Sequence, residues 1–311
     1  MKLSKSITFA AAPLFQVLTF SNLATTTTSA LVSNISMTSG SRPQSSQKQQ
    51  QQCNKATPAL DKARGLQLPS REEILRRDPK VYDFWNDNDA LVEEAWKEWE
   101  TTSGSNNKAL PKLDESLIHP KLRTVVDSIW KSVQAGDFEK VAAQDLILKE
   151  LDLWEEVAPG VYSVQFLDLG EIHKLRRWFD AAAESGIPIR PPYGIVLNRK
   201  GFMIDPRSVG YWAAPGFQAF YKDILIDSYI RPISRLFFPD SIVATDDSES
   251  FAFSIQYQVG GDESIRHHTD ASTVTFNINL DSEQVWTGSS LYFWESLNDG
   301  GGETRRYTVD W

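Results

Sequence analysis

The chain has 311 residues, 41 of them acidic and 32 basic, with a formal net charge of −9. That is ample length for a buried core. The balance argues against nucleic acid or an anionic membrane as the principal partner, since both are bound by basic surfaces. The body is more acidic than the total suggests, because Asp61 is the first acidic residue and Lys2, Lys5, Arg42, Lys48 and Lys55 precede it. The single cysteine, Cys53, excludes an internal disulfide.

Residues 1–30 read as a secretory signal peptide: Lys2 and Lys5, then a mainly apolar stretch from Ile7 to Phe20, then the small residues Thr28-Ser29-Ala30. That stretch is shorter than the ~20 residues a bilayer span requires, so no stable membrane span is expected once the leader is removed. Residues 31–68 are a low-complexity linker, rich in Ser and Thr and nearly free of acids, which is also the composition of a transit peptide. Secretory entry to the endoplasmic reticulum, and delivery to a plastid by a two-part leader, are both open. So are a transit peptide alone and a tail that targets nothing. Ser45–Gln52, SSQKQQQQ, is expected to be disordered.

Residues 69–154 predict a helical region. Ser70-Arg-Glu-Glu73 fits a capping box. Leu91, Val92, Ala95, Trp96 and Trp99 recur at helical spacing within Asn88 to Glu100. Pro120 opens a helix carrying Leu122, Val125, Val126, Ile129, Trp130 and Val133, which Gly136-Asp137 ends before another from Phe138 to Leu153. These helices either stand alone or form a layer on the strands nearer the C-terminus.

From Glu155 the pattern changes. Val161 to Phe166 predicts a strand, Glu171 to Glu184 a helix stopped by Gly186, Ile187 to Pro192 an extended segment, and Tyr193 to Leu197 a strand. A helix from Phe217 to Tyr229 has Pro215 near its start, and Thr245 to Ser250 is an acidic loop. Phe251, Phe253, Ile255, Tyr257 and Val259 then alternate with smaller or polar residues, placing the aromatics on the buried face. After the turn Gly260-Gly261-Asp262, Thr273 to Leu280 alternates again, with Asn277 and Asn279 on its polar face. Ser290 to Trp294 comes next, entered through Thr287-Gly288-Ser289. Short alternating strands joined by glycine turns predict a β-sandwich or jelly roll.

His268-Thr269-Asp270 lies among these strands. Residues i and i+2 of a strand share a face, so one imidazole and one carboxylate can converge on a point. With a second, distant histidine they would make the His₂-carboxylate face of a non-haem Fe(II) site. His267 competes for the role, but Thr269, two residues on, is no carboxylate.

Tyr257, then His268-x-Asp270-Ala-Ser, Thr273-Val-Thr-Phe-Asn277-Ile-Asn-Leu280 and Thr287-Gly288-x-x-Leu291-x-Phe293 resemble the Fe(II)/2-oxoglutarate dioxygenases. Tyr193 to Leu197 and Tyr229-Ile-Arg-Pro-Ile233 through Pro239 fit the same branch. This is the 2-oxoglutarate and iron-dependent oxygenase domain-containing branch, akin to prolyl and lysyl hydroxylases. The resemblance implies an α+β fold: a double-stranded β-helix over residues 155–311 behind the helical region. It implies Fe(II) and 2-oxoglutarate, ascorbate as an accessory reductant, His268 and Asp270 as ligands, and Tyr257 on the co-substrate. The hydroxylated substrate, a protein side chain or a small molecule, is left open. It also implies a distal histidine and a basic anchor, whereas no histidine occurs after His268, so the domain is expected to be incomplete at its C-terminus.

Other residues have plainer readings. His119 and His173 are expected to be structural, and Arg305 and Arg306 to be solvated. A non-catalytic jelly-roll binding module is the rival from another class, and a cupin-like metal protein a third.

Overall fold

The computed structural model describes residues 5–9, 19–21, 57–103, 109–136, 153–192, 201–238, 249–256, 270, 272–280, 291–296 and 304–309. Apart from Thr57 these belong to one compact unit; Leu23–Thr57 form a second. The expected disorder at 45–52, the helix at 138–153 (Leu153 apart), the strand at 193–197 and the turn at 260–262 lie outside the described residues.

Helix α1, Ala59–Arg64, lies within the stretch read as linker, ahead of the predicted helical region, which opens with α2, Arg71–Arg76. The capping box forms as expected: Glu73 N–H donates to Ser70 Oγ at 3.2 Å and Ser70 N–H to Glu73 Oε2 at 2.7 Å. Those bonds to Ser70 hold the Glu73 carboxyl below its ordinary range. The next helix, α3, runs Pro79–Ser103 and starts well before the predicted Asn88. Its start is chemical: Asp78 Oδ1 accepts from Lys80 N–H at 3.0 Å, and Pro79 sits where no backbone donor is needed. Helix α4, Pro120–Gln134, begins at its proline as expected, and Gly136 lies just beyond it at φ 72°.

Strands β3, Trp154–Ala158, and β4, Val161–Val164, form a hairpin through Gly160 at φ 71°. The predicted strand ends two residues early because Phe166 and Leu167 turn to Ile118: His119 N–H donates to Phe166 O at 2.8 Å. Helix α5, Ile172–Glu184, stops before Gly186 at φ 75°, again as the sequence indicates.

The long helix after Pro215 is not uniform. It comprises α6, Pro215–Ala219, a π-helical stretch Phe220–Ile230, and α7, Arg231–Phe237. Buried residues in the π stretch come as pairs, Phe220/Tyr221, Leu225/Ile226 and Tyr229/Ile230, in keeping with its wider turn. Pro232 has no N–H to return to Ser228 O, four residues back. The indole Nε1 of Trp130 on α4 donates to that carbonyl at 3.2 Å.

One core joins these helices to the later segments. Trp212 (1% exposed) stacks on Phe217 at 3.9 Å and meets Trp96, Trp178, Phe179 and Phe202. The helical region is therefore a layer on the rest and does not stand alone. Gly216 N–H at the start of α6 donates to the Glu100 carboxylate of α3 at 2.9 Å.

With β1, Lys5–Phe9, β2, Thr19–Ser21, β5, Glu249–Phe251, and β6, Val274–Ile278, the described strands make a mixed sheet in the order β3-β4-β1-β6-β2-β5. Strand β1 is parallel to β4 and β6, while β2 is antiparallel to β6 and β5. Two segments of the predicted leader thus lie in this sheet. A separate antiparallel pair holds β7, Leu291–Ser296, and β8, Thr304–Val309, the latter not anticipated. Among the described residues no helix is long and apolar enough to cross a membrane.

Two strand faces differ from expectation. Near Phe251 the ladder covers only Glu249–Phe251, and beyond it Ala252 and Ser254 are fully buried while Phe251 and Phe253 are half-buried. Ser254 explains this, since its backbone N–H donates to Phe202 O at 2.8 Å and its Oγ accepts from Phe202 N–H at 2.9 Å. The backbone at Gly201 packs so closely against the Ser254 carbonyl that position 201 has no room for a Cβ, while Ile255 is buried as its place in the alternation predicts. In β6 both faces are buried, so Asn277 (6%) and Asn279 (7%) lie inside rather than on a solvated face.

Candidate functional site

The described part of the candidate site is the approach to β6. Strand β6 alternates Val274, Phe276 and Ile278 with Thr275 and Asn277, and neighbours β1 and β2 pair with it on either side. A strand enclosed on both faces is rigid, and side chains two apart hold fixed relative positions. One face is apolar; the other is a buried polar row of Thr275, Asn277 and Asn279.

Asp270, half-buried, stands four residues before the strand. Thr275 Oγ1 donates to Asp270 Oδ2 at 2.9 Å, and Ser272 Oγ lies 2.7 Å from Thr275 Oγ1. Both hydroxyl residues are buried, Thr275 at 5% and Ser272 at 8% exposure. The carboxylate is thus tied to the strand by a side-chain network. Sequence reasoning singled out Asp270 but passed over Thr275, whose place in the alternation signalled only a strand.

The other predicted site residues, Tyr257, His267 and His268, lie outside the described residues. Among the described residues no group of three His, Cys, Asp or Glu side chains could hold a metal ion. Asp270 fits an Fe(II) site as an oxygen ligand, being a part-buried carboxylate with one oxygen oriented by a fixed donor.

The remaining candidates are accounted for locally. His173 Nδ1 lies 2.8 Å from Gly170 O on an exposed helix start, and His119 Nδ1 is buried with no hydrogen-bond partner among the described residues. Arg305 and Arg306 are exposed on β8, each over an aromatic ring, Tyr307 at 5.0 Å and Tyr292 at 4.8 Å. A second polar cluster went unnoticed in the sequence. Buried Asp205 takes a two-pronged bond from Arg207, which also donates to Ser250 O, and Tyr221 lies 3.0 Å from Ser250 Oγ. Burial raises the Tyr221 phenol well above its ordinary value, so it stays neutral and ties the π stretch to β5.

A 2-oxoglutarate and iron-dependent oxygenase domain-containing protein of Arabidopsis thaliana is 30% identical to this chain over 145 residues. Over that stretch the chain is similar to this oxygenase domain-containing protein. The match covers 44% of this chain and 32% of the relative, so the chain spans about a third of that oxygenase's length. No family model matches the chain, and no solved structure does.

Proposed function

We propose that this chain carries part of the active site of an Fe(II)- and 2-oxoglutarate-dependent dioxygenase, built on a double-stranded β-helix. The observation that supports the reading most is the Asp270 carboxylate, held by Thr275 beside a strand enclosed on both faces and preceded in sequence by His268. In this reading His268 and Asp270 hold the metal and Tyr257 donates to the co-substrate. Fe(II) with bound 2-oxoglutarate would supply the activation of O₂ that couples decarboxylation to succinate with hydroxylation of a second substrate. The chain's own part is to hold the metal and shield it from water. The buried amides of Asn277 and Asn279 continue the polar row and suit a charged co-substrate better than an apolar one. The second substrate is a protein side chain or a small molecule, and ascorbate would restore iron that has oxidised without turnover.

The test is anaerobic Mn(II) or Fe(II) binding, together with succinate formation from 2-oxoglutarate. His268→Ala and Asp270→Ala should each weaken metal binding by more than about 10-fold, and His267→Ala by much less. Wild-type affinity in both of the first two variants would leave a non-catalytic binding module as the better reading.

A further inference from the structure

We infer that Thr275, backed by Ser272, is a positioning residue that fixes the Asp270 carboxylate in the orientation needed for a metal. The inference rests on the proposed assignment of Asp270 as a ligand. A threonine hydroxyl carries one hydrogen, and an ionised carboxylate can only accept. Thr275 therefore gives its hydrogen to Asp270 Oδ2 at 2.9 Å, and Ser272 is the donor in the 2.7 Å contact with Thr275 Oγ1. The three side chains form a directed relay from Ser272 to Thr275 to Asp270.

The relay matters because of where each member sits. Asp270 lies outside the regular strand, where nothing in the ladder sets its side-chain torsions. Thr275 lies within β6, hydrogen-bonded between two neighbours, and its branched Cβ restricts χ1. A stiff donor on a stiff strand thus transmits its position to the carboxylate oxygen that it holds. Burial of both hydroxyls keeps water from competing for the bond between them, while the half-buried carboxylate keeps an approach for a metal. Groups that orient ligand side chains in this way commonly change metal affinity by about 10–100-fold when removed.

The experiment is Mn(II) titration of the full chain, followed anaerobically by electron paramagnetic resonance, with thermal unfolding recorded for every variant. Thr275→Val keeps the volume and removes the hydroxyl; it should weaken Mn(II) binding about 10-fold or more. Thr275→Ser keeps the donor and should stay within about 3-fold of wild type, and Ser272→Ala should fall between the two. Asp270→Ala is the reference for loss of the ligand itself. Wild-type affinity in Asp270→Ala would mean that the metal assignment fails. Loss in Asp270→Ala with wild-type affinity in Thr275→Val, even with a lowered unfolding temperature, would mean that the hydroxyl is structural and the positioning role is wrong. If Thr275→Val does not fold, Ser272→Ala decides: weakened binding supports the relay, and wild-type binding overturns it.

Discussion

The aromatic seam around Trp212 and the strand β6 are both fully buried, yet they are buried differently. The seam is made of rings from α3, α5, α6 and the segment before α6, and its members meet edge to face, tilted or stacked at 3.9 to 6.2 Å. Strand β6 keeps hydroxyls and amides on one enclosed face, where they must be hydrogen-bonded or else lower stability. A seam of rings serves the fold, whereas a polar row inside a core strand points to a task beyond folding. The two regions therefore predict opposite responses to substitution.

Trp212→Ala should have the largest effect, a loss of about 3–5 kcal/mol of stability by urea unfolding, with Mn(II) affinity per folded molecule unchanged. A parallel loss of metal affinity would break the separation between the two regions. Asn277→Leu should do the reverse: a smaller loss of stability than Trp212→Ala, because the branched heavy-atom skeleton is kept, but weakened 2-oxoglutarate binding by calorimetry. A large loss of stability with unchanged co-substrate binding would make the polar row structural.

The smallest effect concerns Glu100, the carboxylate at the edge of the seam. Burial raises its pKa, and the bond from Gly216 only partly offsets this. The folded state then holds the Glu100 proton more tightly than the unfolded chain, so this group's contribution to stability falls as pH rises from 4.5 through the raised value. Glu100→Gln keeps an acceptor for Gly216 and should remove that slope while leaving unfolding near pH 7 at or above the wild-type temperature. An unchanged slope from pH 4 to 7 would assign it to other carboxylates.

Much of the local structure was legible because it depends on neighbours in sequence. The Ser70 capping box, the proline start of α4 and the glycine stop after α5 all act within a few residues. What was missed depends on partners far away. The inward face near Phe251 is chosen by Phe202, and the burial of Asn277 by segments distant in sequence that cover both faces of its strand. The helix from Phe217 to Tyr229 was legible as a helix, but not its π stretch, Phe220–Ile230, because a π turn does not repeat at 3.6 residues. At the candidate site Asp270 was visible from its spacing to His268, but Thr275 became visible only through its bond. Its spacing fits any half-buried strand.

The bond from Trp130 to Ser228 makes two distant positions answerable to each other. Pro232 brings no N–H to the Ser228 carbonyl, and an indole 98 residues earlier donates to it. An N–H-bearing residue at 232 would offer that carbonyl a second donor, so what the Trp130 bond contributes depends on the residue at 232. A substitution at either position is conditional on the other, so the order in which such changes arise decides whether each is tolerated.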